Sequence, residues 1–138
     1  MSVGEKAIPV PTELDAPYWQ GAREHRLMLQ RCSECRLLSA QPRVICPRCH
    51  GSEFEWSEVS GNGTLHSYTI VWQTTVAGFE DELPYVVAHV QIEEEATCYL
   101  TANLLIAESD YDSLTIDLPV VVAFEDRGDV TVPQFRLA

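Results

Sequence analysis

The chain has 138 residues, 46% hydrophobic and 22% charged, which suits one compact domain or a small domain carrying a metal-held appendage. A net charge of −12 argues against a nucleic-acid backbone as partner, and no apolar run approaches the roughly 20 residues of a membrane helix. The charge is uneven: residues 1–50 carry seven Lys/Arg against five Asp/Glu, whereas residues 51–138 carry two against sixteen. A mildly basic front therefore meets a strongly acidic back near Gly51.

Residues 1–14 include Pro9 and Pro11, show no periodicity and read as an extended N-terminal arm. They lack the apolar stretch of a signal peptide, so a reducing, cytoplasmic location is expected. Asp15 has the form of an N-cap, with Pro17 in the first turn and Trp19, Ala22 and Arg23 at helical spacing. A short helix over about 16–25 follows. Its Tyr18-Trp19 pair either packs on the rest of the protein or serves as an aromatic anchor for a partner.

Leu27 to Gln30 reads as a strand leading into Cys32-Ser33-Glu34-Cys35, which is answered by Cys46-Pro47-Arg48-Cys49. A C-x2-C pair on a tight turn directs two thiolates at one point, and a second pair completes a tetrahedron. Arg31, Arg36, Arg43 and Arg48 flank the pairs and partly offset a tetrathiolate charge of roughly −2. The pattern predicts one structural zinc ion on Cys32, Cys35, Cys46 and Cys49. Iron is the alternative, because Cys-Pro-Arg-Cys-His-Gly resembles the second rubredoxin knuckle. Two disulfides would need an oxidising compartment. The intervening loop covers 36–45, with Pro42 to Val44 a candidate strand. A ribbon this small buries little core, and the metal substitutes for one, contributing on the order of 10 kcal/mol to folding. Residues 15–51 are thus assigned to a helix plus a rubredoxin-like zinc ribbon.

Residues 52–138 change to a strand pattern. Glu53 to Val59 alternates, a half-buried strand with Phe54 and Trp56, or their neighbours, facing inward. Gly61-Asn62-Gly63 marks a turn before the longest strand, Thr64 to Gln73. An acidic loop over 74–83 precedes Pro84 to Ile92. Glu93-Glu94-Glu95 turns the chain into Thr97 to Leu105. Ala107 to Asp117 is irregular or a short helix, and Leu118 to Phe124 and Val130 to Val132 are the last strands. The class is mainly β: a small closed barrel of about five strands, of OB-fold size.

Candidate chemistry in the barrel is sparse. Strict alternation would put Thr64, His66, Tyr68 and Ile70 on one face, either a binding surface or, the favoured reading, a solvated outer face; His89 lies on the next strand. Cys98 reads as a small buried hydrophobe. The acidic runs at 80–82 and 93–95 read as hydrated loop tips, since acid–base work needs a dry, shaped pocket. No phosphate loop or Ser-His-Asp arrangement occurs. No catalytic site is expected.

The stretches "LMLQRCSECRLLSAQPRVICPRCHG", "WSEVSGNGTLHSYTIV", "PYVVAHVQIEE" and the terminal "VPQF" closely resemble the zinc-ribbon plus OB-fold proteins once called domain of unknown function 35. The likeness covers about residues 9–137. It implies a non-catalytic accessory subunit of a thiolase-superfamily, aldolase or hydratase enzyme, scaffolding that enzyme and helping to position or channel acyl-CoA, in a hetero-oligomer without a membrane. Trp19, Arg23, Arg26 and Arg43 are the candidates for facing the partner or CoA. The chain departs from the family at Ala96 and in Ile116-Asp117-Leu118-Pro119-Val120, where relatives read Ile-Gly-x-Pro-Val; altered loop geometry is expected there. The competing reading is a single-stranded nucleic-acid-binding protein, a role both zinc ribbons and OB barrels take.

Overall fold

A computed structural model describes residues 5–138; the first four residues of the expected arm lie outside that range. One helix, α1 (Ala16–Arg23), is followed by β1 (Leu27–Cys32), β2 (Leu38–Ser39), β3 (Phe54–Val59), β4 (Asn62–Val71), β5 (Tyr85–Ile92), β6 (Tyr99–Leu104), β7 (Pro119–Arg127) and β8 (Val130–Leu137). β2, β1 and β3 form a three-stranded sheet, and β4-β5-β6-β8-β7 close into a barrel. The mainly β class, the N-terminal helix, the ribbon and the five-stranded barrel all stand as the sequence suggests.

The helix stops at Arg23 rather than 25, because His25 takes φ 60 and the N–H of Arg26 closes back on the Gly21 carbonyl at 2.8 Å. Asp15 does not cap it. Its Oδ1 instead accepts from the Thr12 N–H at 2.6 Å and the Thr12 hydroxyl at 2.9 Å, bending the arm into the helix.

β3 departs most from expectation. Its whole length, from Phe54 to Val59, pairs antiparallel with β1, so it completes the ribbon sheet rather than opening the barrel. Alternation marks a half-buried strand but does not say which sheet receives it. Likewise the second ribbon strand is Leu38–Ser39, not Pro42 to Val44, where Pro42 lacks the N–H a ladder needs.

The core runs through both sheets: Leu27, Leu29 and Leu38 from the ribbon join Leu65, Val86, Val90, Ile92 and Phe135 from the barrel. Gly63 on β4 pairs with Ile92 of β5, and a Cβ there would lie 2.5 Å from the Gln91 carbonyl oxygen. β8 runs to Leu137 despite Pro133, because Pro133 points its missing N–H away from β7, toward a stretch of β6 that no strand pairs. β6 and β8 meet in register only at Leu104 and Phe135. The buried Gln134 bridges the rest of that seam: its Oε1 accepts the Asn103 N–H at 2.7 Å and its Nε2 donates to Glu125 at 3.0 Å.

Candidate metal centre and the adjoining cleft

Two knuckles with the same local build bring the cysteines together. In the first, the Arg36 N–H bonds the Cys32 carbonyl at 3.0 Å, the Cys32 N–H bonds the Leu37 carbonyl at 2.9 Å, and Arg36 takes φ 69. In the second, His50 bonds Cys46 at 2.9 Å, Cys46 bonds Gly51 at 2.8 Å, and His50 takes φ 64. Each left-handed residue turns the chain back beneath its two thiols.

The four sulfurs lie within 4.8 Å of one another, with Cys32 and Cys49 at 3.5 Å and Cys35 and Cys46 at 3.6 Å. A tetrahedral ion with bonds of about 2.3 Å sets sulfur–sulfur edges of about 3.8 Å, so the donor set and its spacing fit a tetrathiolate metal. N–H groups of Cys35, Arg48 and Gly51 point at Cys32, Cys46 and Cys49 at 3.4–3.5 Å, and the Cys49 and Arg48 N–H groups hold the Cys46 thiol below its usual value. The Leu37 N–H, with help from the Arg48 guanidinium, brings Cys35 down to about 6. Cys49 is helped toward thiolate by the Gly51 N–H, yet desolvation and the neighbouring sulfurs push it up to about 12. Sulfurs this close resist sharing four negative charges, which is the repulsion a divalent cation relieves.

Beside this centre a cleft of about 440 Å³ opens between the ribbon and the barrel, with Leu38, Gln41 and Arg43 on one wall and His89, Tyr99 and Thr101 on the other. Gln30, 4% exposed, fixes the ribbon wall: its Nε2 donates to the Arg43 carbonyl at 2.9 Å and its Oε1 accepts the Arg43 N–H at 2.8 Å. Across the cleft the rings of His89 and Tyr99 stack at 4.8 Å, and Nδ1 of His89 meets the Thr101 hydroxyl at 3.1 Å. His66 joins them, 4.8 Å from Tyr99. It does not share a face with Tyr68 as strict alternation would have it. A bulge between Leu65 and Ser67 turns His66 outward, whereas Tyr68 pairs opposite buried Ala88 and donates to the Leu114 carbonyl at 3.3 Å.

The other singled-out residues are dispersed. Trp19 and Arg23 share a shallow groove of about 180 Å³ along α1 and β8. Trp19 is half-buried, edge-on to Tyr18 at 4.9 Å, and Arg23 donates to the Asp129 carbonyl at 3.1 Å. Arg26 is engaged by Glu24 and Glu58. Arg43 has no side-chain partner among the described residues and stands on the cleft rim. The acidic turn, read from sequence as hydrated, is a clasp. Glu94 accepts the Ser60 N–H at 2.6 Å, Glu93 accepts the Ser60 hydroxyl at 3.1 Å, and Glu95 reaches the Leu38 N–H at 3.5 Å. Gln30 and the clasp carry this geometry and were missed. A glutamine inside the apolar run LMLQRC was the available signal.

Residues 19–55 match the family model of the ChsH2 rubredoxin-like zinc ribbon domain, and residues 56–125 match that of the ChsH2 C-terminal OB-fold domain. The chain belongs to the ChsH2, or DUF35, family. The border between the two models falls inside β3, the strand that the ribbon sheet claims whole.

The chain is 34% identical over 103 residues to a DUF35 domain-containing scaffold protein of Methanothermobacter thermautotrophicus, covering 74% of each. It is 35% identical over 127 residues to a probable enoyl-CoA hydratase alpha subunit of Thermomonospora curvata, covering 90% of this chain but 38% of that protein. Among solved structures, the Ltp2-ChsH2(DUF35) aldolase superposes with a TM-score of 0.80 at 32% identity, over 94% of this chain and 98% of that one. A DUF35 protein of unknown function from Sulfolobus solfataricus shares the fold, with a TM-score of 0.62 at 13% identity. Among the described residues no helix is long and apolar enough to cross a membrane.

Proposed function

We propose that this chain is a non-catalytic accessory subunit that scaffolds an acyl-CoA-processing enzyme of the thiolase, aldolase or hydratase kind, with one structural zinc ion holding the ribbon in shape. The likeness to the ChsH2 component of an aldolase along almost its entire length is the observation that carries this reading. The scaffold name of the archaeal relative and the hydratase name of the actinobacterial one point the same way.

On this reading the ribbon–barrel cleft receives the nucleotide end of CoA. Arg43 is the cation in place for a phosphate, held by Gln30, and the His89–Tyr99 stack offers an aromatic wall. Trp19, Arg23 and Arg26 lie apart from the cleft and are assigned to the partner-facing side. The metal acts by closing the knuckles that carry the Arg43 loop, leaving no ligand position for substrate.

A nucleic-acid role is the weaker reading. His66, His89 and Tyr99 could stack bases, but residues 49–126 contain no Lys or Arg to meet phosphates along the barrel.

The deciding experiment is co-purification of the tagged chain from its native host. A stoichiometric acyl-CoA enzyme in the eluate is the expected result. A chain that elutes alone and turns over acyl-CoA would overturn the accessory role.

A further inference from the structure

β4 runs on past the point where the barrel closes. On its β7 side, Gly61 accepts from Val122 at 2.8 Å, and Leu65 both donates to Leu118 at 2.9 Å and accepts from Asp117 at 2.7 Å. Residue pairing with β7 ends at Thr64, whereas β5 accompanies β4 as far as Val71. In an antiparallel ladder alternate residues aim both main-chain groups at the same neighbour. Leu65 aims at β7, and the bulge after it shifts the alternation, so Tyr68 and Ile70 aim their N–H and C=O groups to that side. Among the described residues no strand lies there to receive them.

Open edges of this kind are normally blunted by Lys, Pro or a covering element. Ser67–Val71 carries neither Lys nor Pro. Its apolar surroundings are exposed instead: Trp72 at 59% and Ile116 at 63%. The rim is acidic. The turn carrying Glu108, Asp110 and Asp112 is fixed beside the edge by Tyr111, whose ring lies 6.4 Å from that of Trp72, and Asp117 follows it. No Lys or Arg occurs from 49 to 126 to offset these charges.

We propose that the β4 edge from Tyr68 to Val71, flanked by Trp72, takes an extended, lysine- or arginine-bearing segment of a partner protein as an added strand. Main-chain groups at Tyr68 and Ile70 supply the pairing, Trp72 and Ile116 supply apolar contact, and the carboxylate rim selects a basic segment. A second copy of this chain is a poor occupant, because edge-to-edge pairing would set two acidic rims against each other. The inference goes beyond the scaffold reading and rests on the open edge of β4 and on the apolar and acidic residues around it.

The test is an NMR titration of the full, isotope-labelled chain with a capped hexapeptide alternating Lys and Val. Saturable shifts centred on residues 68–72, with slowed amide exchange at Tyr68 and Ile70, are expected. The Glu-for-Lys peptide and a version N-methylated at alternate residues should each bind at least about tenfold more weakly. Trp72→Ala, at an exposed position, should weaken binding severalfold while leaving the spectrum folded. Undiminished binding of the N-methylated peptide, shifts centred elsewhere, or no saturation at millimolar peptide would each overturn the proposal. None of these results depends on co-purification, so the two ideas fail separately.

Discussion

The side-chain amide of Gln30 makes two hydrogen bonds to the main chain of Arg43, at 2.8 and 2.9 Å, from inside the core. It acts as a one-residue ladder, tying β1 to the loop between the knuckles where no strand forms. Gln30→Glu would set a carboxylate oxygen against the Arg43 carbonyl and should cost about 1–3 kcal/mol, read from thermal or urea unfolding. Arg43→Ala should leave stability within about 0.5 kcal/mol but weaken CoA binding in calorimetry. Unchanged CoA affinity would remove the cleft from the functional account.

Removal of the metal should release β3 along with β1 and β2, since one sheet contains all three. Chelation of the zinc-loaded protein is expected to collapse amide protection from Leu27 to Val59 before that of β5 and β7, as the binding energy of a structural zinc is folding energy on the order of 10 kcal/mol. Hydrogen exchange with mass spectrometry reads this directly. Simultaneous loss across the whole chain would instead mean a single cooperative unit.

Alkali should destabilise the protein in two overlapping steps. Burial, helped by the charge of Glu95, pushes Cys98 from 9.0 up to about 11, and burial pushes Tyr18 from 10.0 up to about 12. Both groups are neutral when protonated, so their contribution is complete below the unfolded values and is lost as pH rises through 9–11 and 10–12. Each step amounts to at most about 2–3 kcal/mol. Urea midpoints at rising pH should fall accordingly, and Cys98→Ala should abolish the lower step.

Asp117, where the family resemblance leads to the expectation of glycine, takes a left-handed conformation, with φ 69 and its N–H on the Leu65 carbonyl at 2.7 Å. A short polar side chain tolerates this left-handed region, which glycine would also adopt. Asp117→Gly should be neutral within about 0.5 kcal/mol, whereas β-branched Asp117→Val should cost about 1–2 kcal/mol in a melting experiment.

Gln134→Leu should be costly for a different reason. It would leave the half-buried Asn103 N–H without its acceptor and remove a donor from Glu125, at about 1–3 kcal/mol. Loss confined to the β6–β8 seam, seen as faster exchange at Asn103, would identify the cause.

The knuckles were legible because two C-x2-C pairs leave few arrangements open, and the barrel because β4 and β5 are long, carry several β-branched residues and are bounded by clear turns. What stayed hidden depended on pairing rather than pattern. Nothing in Phe54–Val59 announces β1 as its neighbour, and a single-residue bulge at His66 is enough to part it from Tyr68. The clasp of Glu93 and Glu94 on Ser60 is invisible because those carboxylates look solvated until the linker is brought to them.

That clasp gives the linker a mechanical role. Ser60 and Gly61 are all that separates the last ribbon strand from the first barrel strand, and the acidic turn grips Ser60 from the barrel side. Ribbon and barrel thus share a hinge too short to swing freely, and on the scaffold role proposed above a cell that ran short of metal would lose the ribbon sheet and its alignment with the barrel together. Metal supply would then set how many assemblies form, without any change in the chemistry of those that do.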